Sequence, residues 1–215
     1  MLFLAVFCGF LAEYQLEHKI ERNRETQYIE SMVRDLSEDT AKMSVEIVRN
    51  TRKEAGVDSL LVTIYAIPYT NGSLKIMYRL KNNYLYNRAQ VFFTKRTITQ
   101  LKNSGGLRLI RNKPASDSIV IYDENCEKIE KQFDGLLTHQ MKAREIEYKV
   151  FDPRCKLETT TKFTLLNNDD KLMLEYANWL TTTKMSIKYY VVLIKDQKER
   201  AIRIMQFLQK EYHLD

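Results

Sequence analysis

No glycine or proline follows Pro153, and the 215 residues hold only six glycines and three prolines. A chain reverses direction mostly at glycine and proline. A sandwich or barrel of many short strands therefore has too few turns to form here. Long helices remain. Hydrophobic residues make up 44% of the chain, enough to bury a core, and charged residues make up 29%, enough to coat the outer faces of amphipathic helices. The thirteen Tyr and nine Phe are read as core and groove fillers. The expected fold class is all-α: an elongated antiparallel helical bundle with a long N-terminal helix continuing from a membrane segment.

That segment is "MLFLAVFCGFLA", residues 1–12, which carries no charge. As a helix it is about 18 Å long, against roughly 30 Å of bilayer hydrocarbon. It lacks the positive start of a signal peptide. It is read as a partial transmembrane segment, with a shallow anchor or a core helix as alternatives. The charged run "EYQLEHKIERNRETQ", residues 13–27, follows without a helix breaker and is expected to be a solvated juxtamembrane helix. Residues 28–215 form the expected helical bundle domain.

Within that domain Ile29, Val33, Leu36, Thr40, Met43 and Ile47 are spaced 4-3-4-3-4, the heptad seam of a bundle or coiled coil. Self-association through Ile29, Val33, Leu36, Met43 and Ile47 is one expectation. The first helix is expected to stop near Glu54–Gly56, with glycine in the C′ position. Asp58 or Ser59 would then cap a short helix ending before Pro68, and Ser73 would cap another. The β-branched and aromatic residues there leave a strand reading open. Thr94 is the expected N-cap of a short helix that ends at Gly105. A long helix is expected over 116–150 from Ser116, stopping at "FDPRCK" because the residue before Pro153 is pushed out of the α region. The last runs over 170–212.

Catalytic and metal signatures are missing. Cys8, Cys126 and Cys155 have neither CxxC spacing nor a nearby histidine, so no structural zinc is expected and all three are read as buried free thiols. His18, His139 and His213 lie far apart at positions read as solvated. HExxH, GxSxG and Walker A motifs do not occur. No catalytic residue, metal or cofactor is expected, and the chain is read as a membrane-anchored helical binding, scaffold or sensor-like module without catalysis; the alternatives are a binder of an anionic partner through residues 59–116 and an enzyme with an unrecognised site.

The distinctive chemical feature is charge. Between Ser59 and Ser116 there is no Asp or Glu, yet the window holds Lys75, Arg79, Lys81, Arg88, Lys95, Arg96, Lys102, Arg108, Arg111 and Lys113. The rest of the chain carries 24 bases against 28 acids. The functional reading is a surface for an anionic partner: lipid headgroup, acidic glycan or acidic protein. The alternative is pairing with acids of neighbouring helices. No nucleic-acid-binding signature is present, and nucleic acid is not the expected partner. Gly105–Gly106 lacks the context of a phosphate loop and reads as a helix stop. The bases near that turn, Lys95, Arg96, Lys102, Arg108, Arg111 and Lys113, are the candidate anion-binding residues.

The blocks "FLAEYQLEHKIERNRE", "QYIESMVRDLSEDT", "TKRTITQLKNSGGLRLIRNKPASDSIVIYD" and "LEYANWL" resemble, in this order, a family of single-pass membrane-anchored helical proteins of the Bacteroidota described as a domain of unknown function. The stretch Leu101–Ile110 carries the most specific part of the likeness. The resemblance implies attachment to the inner (cytoplasmic) membrane with the helical domain on the periplasmic side. It implies no activity and no functional residues.

Overall fold

The structure is a computed structural model and describes residues 2–156 and 160–214. The fold is an all-α helical bundle: α1 Leu2–Tyr65, α2 Asn71–Tyr84, α3 Arg96–Asn103, α4 Lys113–Val150 and α5 Asp170–Tyr212. Short 3₁₀ turns lie at Gly106–Arg108 and Pro153–Lys156. Among the described residues there is no strand, only an isolated bridge between Phe151 and Leu165. The residues group into two compact units. Unit 1 comprises residues up to Lys42, Phe92–Cys126 and Gln197 onward; unit 2 comprises Met43–Val91 and Glu127–Asp196.

The first helix does not stop at Gly56. Gly56 is buried inside α1, and a Cβ built there would run into the ring of Tyr84. The glycine allows a close approach between helices rather than a turn. Asp58 and Ser59 accordingly cap nothing, and α1 continues to Tyr65. There Tyr69 donates its hydroxyl to the Ile64 carbonyl at 2.7 Å, satisfying one of the orphan acceptors of the helix end.

Other boundaries shift by a few residues, each for a local reason. Thr70, not Ser73, caps α2: the Ser73 amide donates to Thr70 Oγ1 at 3.1 Å, and the Thr70 amide donates to Ser73 Oγ at 2.8 Å. This is a reciprocal capping box with Ser73 at its N3 position. α3 takes Lys95 rather than Thr94 as N-cap, with no side-chain cap of its own. Its Thr97 amide donates instead to Asp35 Oδ2 of α1 at 3.0 Å. α4 starts at Lys113, ahead of Ser116, because Asn112 Oδ1 accepts the Ala115 amide at 3.1 Å. Pro114 fits that first turn, where its missing N–H is no loss. The ends of α3, α4 and α5 agree with expectation: Gly105 has φ 67° after the Ser104 C-cap, α4 ends at Val150, and Asp169 Oδ1 accepts the Lys171 amide at 2.9 Å.

The seam of α1 keeps Ile29, Leu36 and Met43 of the expected row, but between them Met32, Asp39 and Glu46 take the places expected for Val33, Thr40 and Ile47. Buried positions run Glu25, Ile29, Met32, Leu36, Asp39, Met43, Glu46, Asn50, Lys53, Val57, Leu60 and Ile64. They alternate by four and three throughout, as a heptad seam must. Val33, Thr40 and Ile47 are half-buried on its flank. Ile29, Leu36 and Met43 are fully enclosed by the chain's own core, so this is a bundle seam. Unit 1 also buries Leu101, Ile119 and Leu208 completely, and unit 2 buries Phe133, Tyr176, Leu180 and Tyr190. Each such side chain contributes about 1.5–3 kcal/mol by leaving water.

Five seam-side polar groups hold backbone outside α1. In unit 1, Glu25 accepts the Arg111 amide at 2.8 Å and the Tyr212 hydroxyl at 2.6 Å. Asp35 takes the Thr97 amide, and Asp39 takes the Thr94 amide at 2.8 Å and the Tyr122 hydroxyl at 2.9 Å. In unit 2, Asn50 donates to the Ala89 carbonyl at 2.7 Å and Lys53 to the Asn87 carbonyl at 2.9 Å. Irregular backbone is thus satisfied by side chains of a helix, as buried amides and carbonyls require.

Val6 to Leu16 are the opposite case. Val6, Phe7, Phe10, Leu11, Tyr14 and Leu16 are 43–67% exposed, and every residue from 6 to 17 is exposed. Among the described residues no helix is long and apolar enough to cross a membrane.

Candidate anion-binding site

The ten bases of the acid-free window divide into paired and unpaired sets. In unit 1, Arg96 donates to Asp35 at 2.9 Å and Glu38 at 2.7 Å, both on α1. Lys102 pairs with Asp123 of α4. Arg111 pairs with Glu21 at 2.6 Å, beside His18 at 3.2 Å. The adjacent guanidinium and imidazole hold the Glu21 carboxyl below its usual range. Lys95 also has a partner. Arg108 and Lys113 are exposed and have no ion-pair partner among the described residues. The six bases read from the sequence as a site therefore do not form one open cluster: three of them bind acids on neighbouring helices. The acids that hold Arg96, Lys102 and Arg111 are Asp35, Glu38, Asp123 and Glu21.

In unit 2, Lys81 is buried against Glu147, Nζ to Oε1 at 3.0 Å. The rings of Tyr78 and Phe151 each lie 5.1 Å from its nitrogen, and Tyr86 donates its hydroxyl to the same carboxylate oxygen. Burial pushes the Tyr86 phenol well above its ordinary range. Lys75 and Arg79, one turn apart on α2, are exposed and line a cavity of about 300 Å³ with Tyr78, Asn82, Phe163 and the Cys155 thiol. Arg88 lies over the Phe133 ring at 5.8 Å.

A second set of bases, outside the window, gathers at the other end of α2. Arg49, Arg52 and Lys53 stand at i, i+3 and i+4 on α1, so they share one face. With Asn83, Tyr84 and Asn87 they line a cavity of about 230 Å³. Arg49 donates to Glu46 at 2.7 Å. Arg52 is exposed and has no ion-pair partner among the described residues. Lys53 is 3% exposed, and its Nζ contacts are the Asn87 carbonyl at 2.9 Å and Gln140 Oε1 at 3.1 Å, both neutral. Burial without a facing carboxylate lowers its pKa from 10.5 to about 8. Tyr84 forms a wall of this cavity because Gly56, one helical turn beyond Lys53, lets its ring reach α1. The sequence offered a faint signal for this site: a lysine on the core stripe, three residues before a mid-helix glycine.

Among the described residues no group of three or more His, Cys, Asp or Glu side chains could hold a metal ion. His139 bonds Ser186 at 2.8 Å and stacks on Trp179, so it is placed structurally rather than solvated. The three cysteines are free. No protein-family model, no curated protein sequence and no solved structure matches the chain.

Proposed function

We propose that the chain is a membrane-attached helical module that acts by binding an anionic partner rather than by catalysis. The observation that carries the attachment is the exposed apolar stretch Val6–Leu16. A helix apolar on all sides is at home in a large core or in lipid, and this stretch has no core around it. The charged residues after it suit an interfacial position. The attached segment is residues 1–12 as read from the sequence, and the resemblance implies a helical domain on the periplasmic face of the inner membrane. Binding of an anion is supported by the bases that lack acid partners, Lys75 and Arg79 on α2 and Arg52 and Lys53 on α1.

Flotation with phosphatidylcholine vesicles tests the attachment. The full chain is expected to float with the vesicles, and a variant with Phe7, Phe10 and Leu11 changed to Ser is expected to remain below. Equal flotation of both would refute attachment through this segment. Labelling of a cysteine introduced in the 160–169 stretch, with an impermeant maleimide on intact cells, tests which side the domain faces.

A further inference from the structure

We propose that the pocket between Arg49, Arg52 and Lys53 of α1 and Asn83, Tyr84 and Asn87 at the end of α2 binds a phosphate group. The inference rests on the reading of the chain as a binder of an anionic partner, and it assigns that partner's chemistry and place.

Buried charges in folded proteins are nearly always paired. Lys53 is an exception. Its ammonium is enclosed, and the acceptors it touches are a carbonyl and an amide. An ammonium has three N–H donors, so one remains beyond these two bonds. Arg52, on the adjacent position, lacks an acid as well and presents a planar fork suited to an oxyanion. The residues that line the pocket are Arg49, Arg52, Lys53, Asn83, Tyr84, Asn87 and Ala89. Gln140 of α4 meets Lys53 from behind, and Glu46, on Arg49, supplies the nearby negative charge. Three bases against one carboxylate leave a surplus of two positive charges. A phosphate carries about −1.5 to −2 near neutrality, whereas a carboxylate brings only one. The cavity of about 230 Å³ has room for a phosphate group. The site is also held firmly in place, because Tyr84 cannot shift toward or away from α1 without losing its seat on Gly56.

Isothermal titration of the full chain with inorganic phosphate, at neutral pH and low salt, tests this. One saturable site with Kd below about 1 mM is expected. Arg52→Gln, an exposed substitution that leaves the fold intact by circular dichroism, is expected to weaken it about tenfold or more. Lys53→Gln is expected to abolish it. Lys188→Gln, which removes an exposed base of unit 2 away from the pocket, is the control for overall charge and is expected to leave Kd unchanged. Absence of saturable heat, or equal weakening by Arg52→Gln and Lys188→Gln, overturns the proposal. Vesicles of phosphatidylcholine carrying phosphatidic acid distinguish the source of the phosphate. If Arg52→Gln lowers retention on them, the phosphate is a lipid headgroup. If retention is unchanged while inorganic phosphate binding is lost, it is a soluble phosphate compound. Vesicle flotation that depends on Phe7, Phe10 and Leu11 with no phosphate binding overturns the pocket and leaves membrane attachment standing.

Discussion

The ring of Tyr84 sits on Gly56, in the C-terminal part of a 64-residue helix, where any side chain on α1 would collide with it. Gly56→Ala therefore sets two effects against each other. Alanine gains about 1 kcal/mol of helix propensity over glycine. Forcing a methyl into a filled contact costs about 1–3 kcal/mol, and the obstacle here is a ring held in the core. Net destabilisation is expected. Gly135 in α4 is the control: nothing lies within 4 Å of its Cβ position. Gly135→Ala should stabilise by about 0.5–1 kcal/mol. Urea unfolding of the two variants should give opposite signs; the same sign for both would show that Tyr84 does not hold this seat.

Lys53 makes stability depend on pH. Its folded pKa is about 8, below its ordinary 10.5. Between those values the unfolded chain holds more protons than the folded one, so stability contributed by this residue rises with pH. Below pH 8 the penalty for burying the charge is fully present; above pH 10.5 it is gone. The full difference is about 3 kcal/mol at most. Arg49, Arg52, Glu46 and Tyr84 surround the site, so the measurement is the difference between the native chain and Lys53→Met. From pH 7.5 to 10.5 the urea midpoint of the native chain should rise relative to that of Lys53→Met, and parallel profiles would show that the ammonium is not buried without a counter-charge.

Lys81 and Glu147 should behave as a unit. Glu147→Leu leaves a buried ammonium facing rings and is expected to cost about 3–5 kcal/mol. Lys81→Met leaves the carboxylate, one of whose oxygens already lacks a hydrogen-bond partner, and should cost a similar amount. The double variant should recover much of the loss, because an apolar pair of similar volume carries no desolvation penalty. Additive losses in a denaturant double-mutant cycle would disprove the coupling.

Thiol chemistry separates the cysteines. Cys8 is exposed in the N-terminal turns of α1. Burial pushes the Cys126 thiol up to about 12, and it accepts a bond from Gln197 at 3.2 Å. At pH 8 a disulfide reagent should modify Cys8 within minutes and leave Cys126 untouched until the protein is unfolded. Rapid modification of Cys126 in the folded chain would place it outside the core.

The helices were legible because their signals are local: few breakers, a cap or a proline at most boundaries, and apolar residues at helical spacing. The seam of α1 was legible at Ile29, Leu36 and Met43 but displaced by one residue at the positions between them, because apolar residues are not the whole of it. Asp39, Glu46, Asn50 and Lys53 occupy core positions, and a search for hydrophobic periodicity moves to Val33, Thr40 and Ile47 instead. Gly56 reads as a stop when only its backbone freedom is considered; the ring that requires it lies 28 residues away at Tyr84. The basic window was visible, but which bases are neutralised depends on acids such as Asp35 and Asp123 that become neighbours only on folding. Arg49, Arg52 and Lys53 sit among acids in sequence, and their local pattern resembles a solvated face.

In unit 2, Asn50 and Lys53 fasten Ala89 and Asn87 to a helix whose own hydrogen bonds are complete. Such a helix works as a ruler: what matters is the distance and angle between two of its marks. A residue inserted between Asn50 and Lys53 would rotate one mark about 100° from the other, and only one of the two carbonyls could then be reached. This stretch of α1 should therefore accept many exchanges of side chain on its outer face, yet accept no change in length.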